Sequence, residues 1–373
     1  MEEPNYCSRC EAELDEDDSY WFGDEVYCAD CLDEETLTCS RCGERFYNDD
    51  NAGDGDTPLC SDCYENYYTS CERCGCTLSR DDVYYAEDDD YSESPYCYHC
   101  YEQYERTAYL HPYSFKPDPI FYGDSERFFG VELEIDSGGK DEQHAKTLYT
   151  LANRRSEHIY IKTDGSLDDG LEIVTHPMSL DYHMNSMPWA SLTDQALELG
   201  YTSHKTDTCG LHVHINRNSF TDSLHFQDEC IARVLYIVER FWQELLRFSR
   251  RTESQLKRWA NRYGYKENPL EILDTAKSGH GNRYRCINLE NRDTIEFRIF
   301  RGTLKFSTIL ATLQLVDEIC DVAFLLSDDE VSKLGWPDFI ERIKTDIHPE
   351  LVAYLKEKRL YINEPVLELI GEE

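Results

Sequence analysis

Apolar and polar residues alternate with a period of two in several short segments of the chain, which is the pattern of strands that bury one face. The clearest segment is 128–136, where aliphatic residues alternate with Glu132, Glu134 and Asp136. Like charges along one strand face repel each other. A divalent cation bound between Glu132 and Glu134 would remove that cost. A solvated acidic face on an edge strand is the alternative interpretation.

A hairpin is predicted after this strand. Its strands lie at 159–162 and 170–175, and an Asp-Gly turn begins at Asp164. Asp164 and Glu172 can both face one pocket across the hairpin. A purely turn-forming role is the alternative for Asp164, because aspartate is a common turn residue.

Two later segments repeat the alternation. The segment 209–216 places His212 and His214 on one strand face. Two histidines so spaced on an apolar strand are typical of ligands or phosphate partners. In 294–303, Glu296 and Arg298 share a face, either as a metal ligand and a phosphate clamp or as a plain ion pair.

Helical periodicity predicts helices at about 141–156, 222–250, 307–327 and 349–359. The C-terminal end of the 222–250 helix runs into a basic patch formed by Arg247, Arg250, Arg251, Lys257, Arg258 and Arg262. An anionic substrate such as a triphosphate would explain the patch, and so would compensation of the helix dipole.

The first hundred residues are organised by cysteine instead. Six Cys-x-x-Cys pairs recur with a period of 32 residues, and the spacers between the paired motifs are 17, 17 and 22 residues long. Such periodicity indicates one copied supersecondary unit. The twelve cysteines are Cys7, Cys10, Cys28, Cys31, Cys39, Cys42, Cys60, Cys63, Cys71, Cys74, Cys97 and Cys100.

Two such pairs supply four thiolates for one tetrahedral Zn²⁺, so we predict three zinc modules at 1–36, 37–69 and 70–108. The modules resemble zinc ribbons or treble clefs. Pairing within each unit is favoured over cross-bracing between units, and Cys76 and His99 are spare ligands of the third. Residues 109–127, with few aliphatic side chains, are predicted to be a linker.

Composition narrows the function further. The 373 residues carry a net charge of −38, and residues 1–110 contain 31 acidic against 6 basic residues. This charge argues against binding to a nucleic-acid backbone or an anionic membrane. The N-terminus lacks the features of a signal peptide. We therefore expect a cytoplasmic, reducing location, in which the 17 cysteines favour metal over disulfides.

The strand motifs together resemble the amidoligases, which are carboxylate–amine ligases related to glutamine synthetase and glutamate–cysteine ligase. The motifs are Gly-Val-Glu-Leu-Glu, Asp-Gly-Ser-Leu followed by Leu-Glu-Ile-Val-Thr, Cys-Gly-Leu-His-Val-His and Ile-Glu-Phe-Arg-Ile-Phe-Arg-Gly-Thr, in that order. The resemblance covers about residues 128–325. It implies an α+β catalytic domain over 128–373 with a glutamine-synthetase-like curved antiparallel sheet, helices behind the sheet, ATP, and two or three Mg²⁺ or Mn²⁺ ions.

The resemblance also assigns the metal ligands. Glu132 and Glu134 match the ligands on the first strand, and Glu172 matches an acidic ligand on a following strand. Glu296 matches the late metal-ligand glutamate. Either His212 or His214 matches the histidine near the metal and the ATP phosphates; we place His212 with the metal ligands and His214 with the cofactor.

The phosphate-binding residues follow from the same resemblance. Arg298 matches the arginine that stabilises the transferring phosphoryl group, and Arg301 is grouped with it as catalytic. Arg283 and Arg285 resemble phosphate-binding arginines, and Arg250 of the basic patch is added as a cofactor contact. Asp164 is the candidate acceptor of the amine proton, because joining a carboxylate to an amine through an acyl phosphate releases that proton.

Two alternatives remain open from the sequence. The same carboxylates and histidines could serve a metal-dependent hydrolase or nuclease, which would work without ATP. A non-enzymatic adaptor that binds partners through its zinc modules is the other alternative. For a ligase, an amino acid, a peptide or a protein is the expected substrate, and the zinc modules either dock a protein partner or are purely structural.

Overall fold

The computed structural model describes residues 5–87, 93–206, 208–278 and 284–361. The chain divides into two compact units, Met1–Ala108 and Tyr109–Glu373. Among the described residues, no helix combines the length and the apolar character needed to cross a bilayer.

The first unit repeats one small pattern, in which short antiparallel strand pairs precede a helix that begins next to a Cys-x-x-Cys pair. The amide of the first cysteine donates to the carbonyl five residues later in every module, at 2.8 Å from Cys7, 2.8 Å from Cys39 and 2.9 Å from Cys71. The elements are β1 (Asn5–Tyr6), β2 (Glu13–Leu14), β3 (Tyr20–Phe22), β4 (Glu25–Tyr27), α1 (Ala29–Glu35), β5 (Thr36–Thr38), β6 (Arg45–Tyr47), α2 (Ser61–Tyr67), β7 (Tyr68–Ser70), β8 (Thr77–Ser79), β9 (Tyr84–Glu87), β10 (Glu93–Tyr96) and α3 (Tyr98–Thr107).

The second unit combines one seven-stranded sheet with eleven helices in the part of the chain that the structure describes. Its strands are β11 (Leu110–His111), β12 (Phe129–Ile135), β13 (Ile159–Lys162), β14 (Leu171–Thr175), β15 (Gly210–Asn216), β16 (Ile287–Asn288) and β17 (Thr294–Arg301). Its helices are α4 (Glu142–Ala152), α5 (Leu180–Asn185), α6 (Trp189–Glu198), α7 (Leu224–Arg240), α8 (Trp242–Ser249), α9 (Glu253–Trp259), α10 (Pro269–Ser278), α11 (Phe306–Leu325), α12 (Asp328–Lys333), α13 (Trp336–Arg342) and α14 (Pro349–Glu357).

The strand order is β11-β13-β14-β12-β15-β17-β16. All neighbouring strands are antiparallel except β11, which pairs in parallel with β13. A mostly antiparallel sheet combined with helices in one domain is typical of an α+β fold.

The two sheet faces have opposite characters. One face is apolar and fully buried, with Val131, Leu133, Ile173, Val213 and Phe297 all at 0% exposure. Helices α4, α8 and α11 pack against the sheet, and α7 and α14 pack on α11. Burial of this apolar area is the main favourable term in folding. The alternating polar residues consequently face the other way, towards a cleft.

Two predicted boundaries differ from the structure. The helix predicted at 222–250 is two helices, because Phe241 leaves helical geometry with φ −98° and ψ 30° between α7 and α8. Phe241 is itself buried against the aromatic rings of Trp336 and Phe339. Tertiary packing at this position therefore accompanies a break that hydrophobic periodicity does not reveal.

The segment 109–127, predicted to be a linker, belongs to the second unit. The carboxylate of Glu142 accepts hydrogen bonds from the amides of Tyr109 and Leu110, at 2.7 and 3.0 Å. At the other end, Arg127 forms ion pairs with Asp317 and Asp321 on α11, at 2.5 and 2.7 Å. Polar contacts fix this segment, so its low aliphatic content did not reveal its place in the domain.

Candidate active site

Strand register brings the candidate residues together on the polar face of the sheet. Glu134 lies opposite Glu172, which lies opposite Lys162, and Glu132 lies opposite His212. One step along the sheet, His214 lies opposite Glu296. Directly opposed residues on neighbouring strands project to the same face, so the alternation seen in the sequence converges on one place.

Glu132, His212 and Glu296 form the first acidic group. Nδ1 of His212 lies 3.3 Å from Oε2 of Glu132 and 3.6 Å from Oε1 of Glu296. One ligand atom from each of the three residues lies within 4.8 Å of the others. Carboxylate oxygens and an imidazole nitrogen at this separation can share one cation.

Glu134, Glu172 and His212 form the second acidic group, again with ligand atoms within 4.8 Å of one another. Nε2 of His212 lies 4.0 Å from Oε1 of Glu134. His212 is thus common to both groups, with one ring nitrogen towards each. His214 stands beside them, and its Nε2 lies 3.2 Å from Oε1 of Glu132.

The electrostatics of the two groups differ. Burial opposes ionisation of Glu132, yet His214 and His212 hold the pKa of its carboxyl well below the usual range. Burial, together with the charge of Glu132, raises the pKa of Glu172 well above its usual range, and Lys162 offsets this only in part at 2.9 Å. The strands therefore crowd carboxyl groups together against their mutual repulsion, and a divalent cation bound among them would favour their ionised forms.

An arginine lies beside the first acidic group. Arg298 on β17 forms an ion pair with Oε1 of Glu296, whose Oε2 accepts a hydrogen bond from Asn288 at 2.8 Å. Nε of Arg298 is buried and has no hydrogen-bond partner among the described residues. This guanidinium therefore retains a donor for a bound anion.

Arg251 is a second arginine in the cleft, and the sequence reasoning assigned its role to Arg250. Arg251 is 6% exposed, lines the cleft, and donates from Nε to the carbonyl of Phe300 at 3.2 Å. Burial lowers its pKa to about 10, against the opposing charge of Glu134. A side chain at Gly210 would meet His212 Nε2 and Arg251 Nη2 at 2.5 and 2.8 Å, so this glycine leaves room for both groups.

Other predicted arginines lie off the cleft wall, as far as the described residues show. Arg250 donates to the carbonyl of Arg301 at 2.7 Å, and Arg301 donates to the carbonyls of Arg250 and Thr206. Arg285 donates to the carbonyl of Arg262 at 2.9 Å. Each of these guanidinium groups donates to a backbone carbonyl, and none of the three lines the cleft that holds the acidic groups, although Nε of Arg301 is buried without a hydrogen-bond partner among the described residues. Arg283 lies outside the described residues.

Asp164 combines the two roles that the sequence left open. It is 8% exposed and lines the cleft, and its Oδ1 also accepts the amide hydrogen of Ser166 at 2.6 Å. The turn thus fixes the carboxylate, and the carboxylate still faces the site.

The cleft itself has a volume of about 1500 Å³. Residues missed by the sequence reasoning line its β13 side, among them Tyr160, Lys162 and His176. The alternation Ile159-Tyr160-Ile161-Lys162 was a usable signal for the first two, because it puts both polar side chains on the face that carries Glu172.

The metal-ligating atoms in the two units fit the metals predicted from the sequence. Carboxylate oxygens with one imidazole suit Mg²⁺ or Mn²⁺. In the first unit, thiols within 4.8 Å of one another suit Zn²⁺. They form two groups that match the predicted modules, Cys7, Cys10, Cys28 and Cys31, and Cys39, Cys42, Cys60 and Cys63.

The third module gathers five thiols instead of four. Cys71, Cys74, Cys76 and Cys97 lie within 4.8 Å of one another. Cys100, which the sequence places in the set, is buried beside them, and its amide donates to Sγ of Cys97 at 3.4 Å. The spare thiol of Cys76 is therefore a neighbour of the site, 3.4 Å from Sγ of Cys74.

Part of the second unit matches a known protein family. A family model described as "Putative amidoligase enzyme" matches residues 133–320, which is half of the chain. The match takes in every residue of the two acidic groups except Glu132. No curated protein matches the chain. The chain belongs to this amidoligase family.

Proposed function

We propose that the second unit is an ATP-dependent carboxylate–amine ligase that forms an amide bond through an acyl phosphate. The observation that carries this proposal is the pair of acidic groups that share His212 beside the guanidinium of Arg298. A relationship to glutamine synthetase is part of the proposal. The family match supports a ligase, and the geometry supports the manner of catalysis.

Glu132, Glu134, Glu172, Glu296 and His212 would hold Mg²⁺ or Mn²⁺. Such cations neutralise negative charge that develops on a transferring phosphoryl group. The protein's own contribution is preorganisation, because the strands fix these side chains before any ligand binds.

Arg298 and Arg251 would clamp the γ-phosphoryl group. A planar guanidinium matches phosphate oxygens in a bidentate manner. Arg298 has a buried Nε without a hydrogen-bond partner among the described residues. Arg251 is held by the carbonyl of Phe300 and lines the same cleft.

In the proposed reaction, an oxygen of the substrate carboxylate attacks the γ-phosphorus, and ADP leaves. The amine nitrogen then attacks the acyl carbon, phosphate leaves, and the amine gives up a proton. Asp164 is the proposed acceptor of that proton, because the turn fixes its carboxylate at the cleft wall.

The zinc modules are proposed to dock a protein partner or substrate. Their acidic surface favours a basic partner over a nucleic acid.

The test is ATP consumption by the purified protein with Mg²⁺ or Mn²⁺, with pooled amino acids and peptides as substrates and mass spectrometry of the products. ADP release together with a product lighter by one water than its two substrates supports the ligase. Glu134→Ala should lose this turnover and keep its bound zinc. Metal-dependent hydrolysis without ATP would replace the proposal by the hydrolase alternative.

A further inference from the structure

The cleft extends past the acidic groups on the side of β13. Tyr113, Phe115, Tyr160 and His176 line this side, and we call these four residues the aromatic flank. Phe115 meets Tyr160 edge-on at 5.7 Å between ring centroids, and Tyr160 lies 5.8 Å from the ring of His176. Phe115, Tyr160 and His176 are therefore packed against one another in series along the flank.

His176 presents a hydrogen-bond donor that no described residue accepts. Its ring is 2% exposed, and Nδ1 accepts the amide hydrogen of Ile120 at 3.2 Å. Nδ1 is thus unprotonated, and the ring hydrogen sits on Nε2. Nε2 is buried and has no hydrogen-bond partner among the described residues. A buried donor left unsatisfied is costly, which indicates a ligand acceptor at this point.

The acceptor is expected to be neutral. Burial lowers the pKa of His176, so the ring offers a dipole and not a charge. Lys162, the buried cation next to the flank, is already paired with Glu172 at 2.9 Å. The described part of the flank therefore suits an amide carbonyl better than the carboxylate of a free amino acid.

The nucleotide is expected on the opposite side. Arg298 and Arg251, the cations suited to phosphate, lie towards β17, and the acidic groups separate them from β13. The cleft of about 1500 Å³ also exceeds the ~300–1,000 Å³ of a typical small-molecule site. ATP alone does not account for the space.

We propose that the aromatic flank binds a peptide substrate, with a backbone carbonyl accepting the Nε2 hydrogen of His176 and an apolar side chain resting on Phe115 and Tyr160. This inference rests on the proposed ligase function. It narrows the expected substrate class from amino acids, peptides and proteins to peptides.

The test compares His176→Phe, which fills the space without a donor, and His176→Gln, which restores an N–H donor. His111→Phe is the matched control, because His111 stacks on Phe115 at 3.6 Å but lies off the cleft wall. The probes are N-acetyl dipeptides as carboxylate donors, dipeptide amides as amine donors, free amino acids and ATP. Calorimetric binding is measured first, then KM and kcat for ADP release.

We expect peptide probes to bind about tenfold more weakly to His176→Phe, as loss of one hydrogen bond implies, with partial recovery in His176→Gln. The His111→Phe control should bind as the wild type does, and affinity for ATP should not change. Unchanged peptide affinity in His176→Phe, or weakened ATP affinity instead, would overturn the inference. Peptide binding without ATP turnover would refute the ligase and leave the subsite standing.

Discussion

Because His212 serves both acidic groups, its removal should weaken every cation bound between them. The ring contributes Nδ1 to one group and Nε2 to the other, whereas each glutamate serves a single group. His212→Asn removes the imidazole from both groups and keeps a polar side chain. The quantity measured is the thermal stabilisation of the protein by Mn²⁺, which can be determined without knowing the substrate.

The expected magnitude follows from linkage. Mn²⁺ at one hundred times its Kd stabilises the folded state by about 2.7 kcal/mol. For a unit of this size, about 2–4 °C in Tm per kcal/mol gives an increase of roughly 5–10 °C. If His212→Asn weakens binding by about 10–100-fold, a range known even for outer partners of metal ligands, only about 0.4–1.4 kcal/mol remains.

The assay is thermal unfolding with and without Mn²⁺, in buffer without chelator so that the zinc modules stay loaded. His225→Asn is the control, because this exposed histidine on α7 contacts only Glu229 among the contacts that the structure describes. The control should keep the full increase in Tm. An equal increase in wild type and His212→Asn would show that Mn²⁺ binds elsewhere and would refute the assignment.

Three further predictions concern other parts of the molecule. Ion pairs with Asp317 and Glu318 raise the pKa of His348 from 6.5 to about 9 despite burial, so its stabilisation is complete below pH 6.5 and lost as pH rises through about 9. Urea unfolding across this range should show a fall of the order of 3 kcal/mol that His348→Gln lacks. Arg298→Met should lower kcat for ADP release about 10²–10³-fold, whereas an effect on the KM of ATP alone would refute its clamp role. Native mass spectrometry should find three zinc ions in the wild type and two in Cys39→Ser, because the second thiol group consists of four cysteines; three in that variant would contradict the thiol assignment.

The alternation of Glu132 with Glu134 and the paired histidines predicted residues that the structure gathers in the two acidic groups, because a period of two fixes which side chains share a strand face. The motifs are far apart in the sequence, but this did not hinder the prediction, because the alternation within each strand shows which of its side chains share a face. The alternation could not show that His212 stands between two groups, because that depends on strand order and register. The cysteine repeat likewise predicted the three groups of thiols, and Cys76, the spare ligand named from the sequence, joins the third group.

The arginines were the weakest part of the sequence reasoning, and the reason is local backbone geometry. Arg250 adopts a left-handed conformation with φ 63° at the end of α8. The chain therefore turns between two adjacent arginines, and Arg251 enters the cleft while Arg250 donates to the carbonyl of Arg301. Neither composition nor helical periodicity distinguishes two neighbours that a single positive φ separates.

The proposed ligase makes an acyl phosphate from a substrate carboxylate, and transfer of heavy oxygen from that carboxylate to phosphate is a direct test of this step. A carboxylate substrate labelled with heavy oxygen is incubated with ATP, Mg²⁺, an amine and the protein, and the released phosphate is analysed by mass spectrometry. We expect one labelled oxygen in each molecule of released phosphate, with ADP as the other product. Unlabelled phosphate accompanying amide formation, or label found in AMP, would contradict it.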